Sequence, residues 1–375
     1  MATPLQHLCA IGQSPWYDSI QRSLITSGGL QALIDRGIRG VTVNPAIFEK
    51  AILGSTDYDV AIRDLLTRGS GPTDIYERLL IDDVGAAADV FRPLYDRTAG
   101  QDGFVSIEVS PKLAHDTAGS IAEARRFFST INRPNVMVKV PATKEGIPAI
   151  RQLIGEGRNI NVTLIFGVDY YEQVMDAYLA GLETLAADGT PLDQVASVAS
   201  FFVSRVDTEV DSRLDALITA EQSEARRKEL NALRGKAAVA NARIAYQHFL
   251  TTFAGERFHA LREKGARVQR PLWASTGTKN PAYSDVKYVD ELIGPDTVTT
   301  LPAATIDAFE DHGRVARTID QNVDRAYRTI EQLESLGITM KDVTDRLLAA
   351  GVTSFVDALA SLERAIGEKC AALCA

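Results

Sequence analysis

A chain of 375 residues, 45% of them hydrophobic, has enough apolar material for one large α/β domain or two smaller ones. Its formal charge of −9 argues against a nucleic-acid surface, and no basic and aromatic run reverses that. The three cysteines, Cys9, Cys370 and Cys374, form no disulfide framework and fit a reducing cytoplasm, and no histidine or carboxylate cluster beside the last two suggests a metal site.

Taken in chain order, short β-rich runs alternate with stretches of helical periodicity. Met1 to Gln13 has neither a cationic start nor a long apolar segment, and no run reaches the roughly 18 apolar residues of a membrane span. Strands are predicted at Ser14 to Asp18, Gly40 to Asn44, Gly103 to Glu108, Asn135 to Val140, Asn159 to Phe166, Val195 to Val203, Pro271 to Ser275 and Thr297 to Leu301. Amphipathic helices are predicted between them, including Gly29 to Asp35, Ser120 to Thr130, Ile147 to Ile154 and Tyr170 to Leu185. Eight such units fit a closed (β/α)8 barrel, the TIM-barrel form of the α/β class, better than an open sheet.

Two connections exceed what a bare barrel needs. Residues 56–97 carry two helical stretches, Tyr58 to Thr67 and Ile75 to Asp96, and residues 206–266 carry a long charged helical region that includes Ala238 to Phe253. Neither is bounded by a Pro/Gly/Ser linker, so both are expected to be decorations on a single domain covering 1–375. The run from Arg226-Arg227-Lys228 to Lys236 alternates with Glu and Leu and reads as a solvated helix face. From about residue 303, helices at Ala303 to Ile319, Val323 to Leu336 and Lys341 to Ala371 are expected to wrap the outside of the barrel.

The strand Val136-Met137-Val138-Lys139-Val140-Pro141 holds the most informative residue. Alternation puts the three valines on one face and Met137 and Lys139 on the other. If the valines pack under a helix, Lys139 points into the interior, where an unpaired ammonium is costly. Two readings follow: an ion-paired barrel lysine, or an amine whose pKa is drawn down from about 10.4 so that it can attack a carbonyl. The same alternation turns Glu108, Thr42, Asn44, Asn161 and Thr163 away from their apolar neighbours. Prolines at 45, 111 and 141 mark strand exits, the end at which barrel active sites are built.

These segments resemble the transaldolase family. Gly40-Val41-Thr42-Val43-Asn44-Pro45 is similar to its TxNP segment, Val138-Lys139-Val140-Pro141-Ala142-Thr143 to its Schiff-base lysine strand, and Asn161-Val162-Thr163-Leu164-Ile165-Phe166 to its N-x-T-L strand. Ser200-Phe201-Phe202-Val203-Ser204-Arg205 resembles its S-P-F-V-G-R segment, with Phe201 in place of proline and Ser204 in place of glycine. The length resembles the long bacterial branch. The resemblance implies transfer of a dihydroxyacetone unit from sedoheptulose 7-phosphate to glyceraldehyde 3-phosphate in the non-oxidative pentose phosphate pathway, in the cytoplasm. It implies neither a cofactor nor a metal, and it leaves a homodimer open.

By the same resemblance Lys139 forms the Schiff base and Asp18 takes the C4 hydroxyl proton, while Glu108 and Thr163 hold a proton-shuttling water. Thr42, Asn44, Asn161, Ser200, Phe202, Arg205, Ser275 and Lys279 are the expected substrate contacts. Arg205 would grip the phosphate, and Lys279 would stand where many relatives carry an arginine. Three rivals remain. A fructose 6-phosphate aldolase would carry tyrosine where this chain has Phe202. A metal-dependent aldolase needs clustered histidines, yet His7, His115, His248, His259 and His312 are scattered. A non-catalytic sugar-phosphate barrel would need neither Lys139 nor Glu108.

Overall fold

The computed structural model describes residues 2–374, the side chain of Cys374 excepted, so the expectation concerning that cysteine falls outside the described residues. Eight parallel strands close into a barrel: β1 (Gln13–Tyr17), β2 (Gly40–Thr42), β3 (Phe104–Glu108), β4 (Val136–Pro141), β5 (Ile160–Ile165), β6 (Ser197–Phe202), β7 (Arg270–Ala274) and β8 (Thr297–Leu301). Each pairs with its neighbour in sequence, and β8 returns to β1 along the whole of that strand. This is the expected (β/α)8 barrel with extra helices.

Register stacks the inward residues in layers. Near the N-terminal end, Arg270 donates to Ser14 Oγ at 2.8 Å and pairs with Asp102 at 3.1 Å. In the middle, Asn161 Nδ2 donates to Ser106 Oγ at 3.1 Å and Asn161 Oδ1 accepts from Ser200 Oγ at 2.7 Å. Glu108 and Lys139 stand level across β3 and β4. One glycine is dictated by closure: a Cβ on Gly40 would lie 2.7 Å from the Trp16 ring and 2.8 Å from the Phe104 carbonyl oxygen. Gly40→Ala is therefore expected to cost about 1–3 kcal/mol, as overpacking of a filled interior does. Chemical denaturation checks this, and an unchanged midpoint would show that β2 yields freely.

Between β2 and β3 there are three helices, Pro45–Leu53, Asp59–Thr67 and Pro72–Arg97, rather than the expected two. The additional one starts on Asn44, whose Oδ1 accepts from Ile47 N at 3.0 Å, with Pro45 in its first turn. After β8, the helix Ala303–His312 stops well short of Ile319. The following backbone is committed elsewhere, because Thr318 N and Ile319 N both donate to Ile293 O.

The C-terminal helices divide. Val323–Ser335 packs outside, against Ala237–Ala254, as expected. Met340–Cys374 does not wrap the outside but crosses the C-terminal mouth of the barrel. Arg213 holds its first turn through Asp342 at 2.5 Å, Ser361 donates to Glu49 at 2.7 Å, and Lys112 pairs with Glu363 at 3.0 Å. Gly351 permits the crossing, since a Cβ there would lie 3.1 Å from Leu164 Cδ2. No helix among the described residues is long and apolar enough to cross a membrane.

Candidate active site

A cavity of about 130 Å³ opens at the mouth, and Asp18, Thr42, Lys139, Thr163, Phe202 and Arg205 line it together with Asn44, Ser200, Ser275 and Lys279. Ten of the twelve expected residues thus converge there. The other two adjoin it: Glu108 through Lys139, and Asn161 through Ser200. Lys139 Nζ lies 3.2 Å from Glu108 Oε2 and 3.4 Å from the Val43 carbonyl oxygen, with both side chains buried.

Burial pushes the Glu108 carboxyl above the usual carboxylate range, opposed by Lys139 and reinforced by Asp18. Asp18 lies one residue past β1, and its amide donates to Leu301 O at 3.0 Å. Burial also raises its pKa, while the hydrogen bond from Thr42 Oγ1 at 2.7 Å pulls it down, followed by the charges of Lys139 and Lys279. Two carboxyls and one lysine amine therefore share a space from which water is largely removed, an arrangement suited to exchanging protons.

Thr163 Oγ1 is buried and makes no hydrogen bond within the protein. It is carried by a bulge in β5, where Leu164 adopts φ +59° and the pairing with β6 shifts register between Val162 and Ile165. Leucine rarely adopts that conformation, and bulges of this kind recur beside active sites. Asn161 has no exposed surface and spends both ends of its amide on Ser106 and Ser200, so it ties the middle layer together beneath the cavity. Asn44 spends its Oδ1 on helix capping. Ser275, at φ +55°, accepts from Ser204 N at 3.1 Å through its carbonyl oxygen and meets Ser204 Oγ at 3.0 Å through its hydroxyl.

Phe202 packs its ring 5.2 Å from that of Phe166, and the Arg205 guanidinium sits 5.5 Å from the Phe202 ring centre. Among the described residues no carboxylate lies within ion-pair distance of Arg205, although Arg205 is half-buried and burial pushes its pKa down. Lys279 is exposed at the rim.

Sequence reasoning missed Ser106, Thr300 and Phe355. Ser106 alternates with Val105 and Ile107 just as Glu108 does, so its inward position was there to be read. Phe355, buried on the crossing helix, closes the cavity from above, and no local pattern announces it. Among the described residues, no group of three or more His, Cys, Asp or Glu side chains could hold a metal ion.

Fold and site together are those of a (β/α)8-barrel enzyme with an amine at its centre. The Transaldolase/Fructose-6-phosphate aldolase family model matches residues 15–366. The chain is 46% identical to a transaldolase of Trichodesmium erythraeum, over 96% of this chain and 95% of that protein. It is 48% identical to transaldolase 1 of Streptomyces coelicolor, over 97% and 94%, and 46% identical to a transaldolase of Thermobifida fusca, over 99% and 100%. The chain belongs to the transaldolase/fructose-6-phosphate aldolase family.

Proposed function

We propose that this chain is a transaldolase, moving a dihydroxyacetone unit from sedoheptulose 7-phosphate to glyceraldehyde 3-phosphate and yielding erythrose 4-phosphate and fructose 6-phosphate. The observation that carries the reading is the buried Lys139 amine, 3.2 Å from Glu108 at the cavity floor. Lys139 attacks the ketose carbonyl, and the carbinolamine loses water with Glu108 as the proton donor and acceptor. Thr163 Oγ1, which no protein group engages, steadies the water that carries the proton. The protonated imine then serves as electron sink: Asp18 takes the C4 hydroxyl proton, the C3–C4 bond breaks, and an enamine remains on Lys139. The acceptor aldehyde captures the enamine, and the steps reverse.

Arg205 takes the substrate phosphate, with Lys279 as a second, looser charge at the rim, and Asn44, Ser200 and Ser275 meet the sugar hydroxyls. The whole chain acts as one barrel domain in the cytoplasm. The direct test is transfer from fructose 6-phosphate to erythrose 4-phosphate by the purified chain. Formation of free dihydroxyacetone in place of sedoheptulose 7-phosphate would replace this reading with an aldolase.

The Asp18 assignment has its own test. Thr42→Val removes the hydrogen bond that pulls the Asp18 pKa down, so the acid limb of the kcat–pH profile is expected to move to higher pH. kcat at its optimum should fall by roughly fivefold, the worth of one hydrogen bond. A limb that stays in place would show that another group takes the C4 proton.

Phe202 tests transfer against release. Its ring offers water no hydrogen bond beside the enamine. Phe202→Tyr places a hydroxyl there and is expected to raise dihydroxyacetone release relative to transfer by roughly tenfold or more, the scale of a newly positioned proton donor. Product ratios under acceptor-limited conditions give the answer, and an unchanged ratio would clear Phe202 of this role.

A further inference from the structure

The basic run singled out in the sequence borders a second depression, remote from the catalytic cavity and sharing no lining residue with it. This groove, of about 790 Å³, lies between the helices Ala237–Ala254 and Val323–Ser335 and the segment that follows β7. Lys236, Arg243, Arg314 and Arg325 line it. Among the described residues, none of these four has a carboxylate within ion-pair distance, in a chain whose formal charge is −9. The acidic groups nearby are already engaged: Glu291 pairs with Lys287 at 2.7 Å, and Asp290 accepts from Arg314 N at 3.0 Å.

Arg243 is the informative member. It is half-buried, and its Nε is shielded from solvent with no hydrogen-bond partner; its Nη2 reaches only the Glu291 carbonyl oxygen, at 3.3 Å. Burial pushes its pKa down, against the opposing charge of Glu291, and the charge of Arg325 lowers it further. A guanidinium with an unsatisfied donor and a second cation lining the same groove is costly, and an anion bound beside them relieves that cost. Arginine's fork matches phosphate oxygens, and four cations without an ion-pair partner outnumber the two carboxylates of the groove, Asp290 and Glu291, which favours a ligand with more than one negative charge.

We propose that this groove is a binding site for a small anion carrying two or more phosphate groups, gripped between Arg243 and Arg325 with Lys236 and Arg314 at its ends. The test is calorimetric titration of the full chain with inorganic pyrophosphate, performed on Arg205→Ala, which removes the main phosphate contact of the catalytic cavity. Binding is expected to persist in Arg205→Ala and to be tighter than that of orthophosphate. Adding Arg325→Gln or Arg243→Gln should weaken it at least about tenfold, the loss of one charge-assisted hydrogen bond. Arg325 is exposed, so its variant keeps the test valid if Arg243→Gln disturbs the fold, which circular dichroism would reveal. Absence of binding to Arg205→Ala at millimolar pyrophosphate, or an affinity unmoved by Arg325→Gln, would overturn the proposal.

Discussion

Replacing Lys139 with methionine is expected to lower transaldolase turnover by more than about a thousandfold, the scale of losing a covalent nucleophile. Borohydride added with fructose 6-phosphate should attach a three-carbon adduct to the parent chain at Lys139 and none to the variant. An adduct on exposed Lys144, or on Lys112, which already pairs with Glu363, would displace Lys139 from the mechanism. The variant should remain folded near neutral pH, because Glu108, pushed up by burial, can take up a proton once its partner is gone. The sign of the pH dependence follows. A carboxyl whose pKa is higher folded than unfolded loses stability as pH rises through the folded value, so Lys139→Met should weaken on the alkaline side. A parent-like pH–stability profile would mean that Glu108 has another partner.

Arg205→Ala is expected to reduce kcat/KM for fructose 6-phosphate by roughly 10²–10³-fold, the worth of a bidentate charged contact, while dihydroxyacetone and plain fructose are nearly unaffected. The guanidinium is half-buried against Phe202, with no carboxylate in ion-pair distance among the described residues, as a side chain awaiting an anion should be. Part of the loss should fall on kcat, since binding at the far end of the substrate positions the reacting carbons. Lys279→Ala, at the exposed rim, should be a weaker version of the same change. Equal losses for phosphorylated and plain substrates would make Arg205 a structural residue.

Most strands were legible because a barrel asks much the same of each: an outward apolar face alternating with an inward one, ended by a proline or glycine just after β2, β3, β5 and β8. Lys139, Glu108 and Thr163 betrayed themselves by interrupting an apolar run in phase. What could not be read depends on pieces far apart in the chain. The helix beginning at Pro45 was hidden because Asn44-Pro45 reads equally as a turn, although an asparagine before proline is also a helix-start signature. The bulge at Leu164 runs against leucine's own backbone preference and is held by packing against the crossing helix at Gly351. That helix is amphipathic wherever it lies, so its pattern says that it packs and not where.

The closure of the barrel orders events in time. β1 pairs along its whole length with β8 but meets β2 only from Trp16 onward, and the Asp18 amide is anchored on Leu301. On the ribosome, Lys139 and Glu108 emerge and can pair long before the chain has grown to 301. The aspartate at position 18, made almost first, finds its anchorage only when the eighth strand arrives, and Phe355 follows later still. A nascent chain therefore carries the nucleophile before it has a completed acid–base site, and that site is assembled only late in synthesis, once the first strand has met the last and the crossing helix has been made.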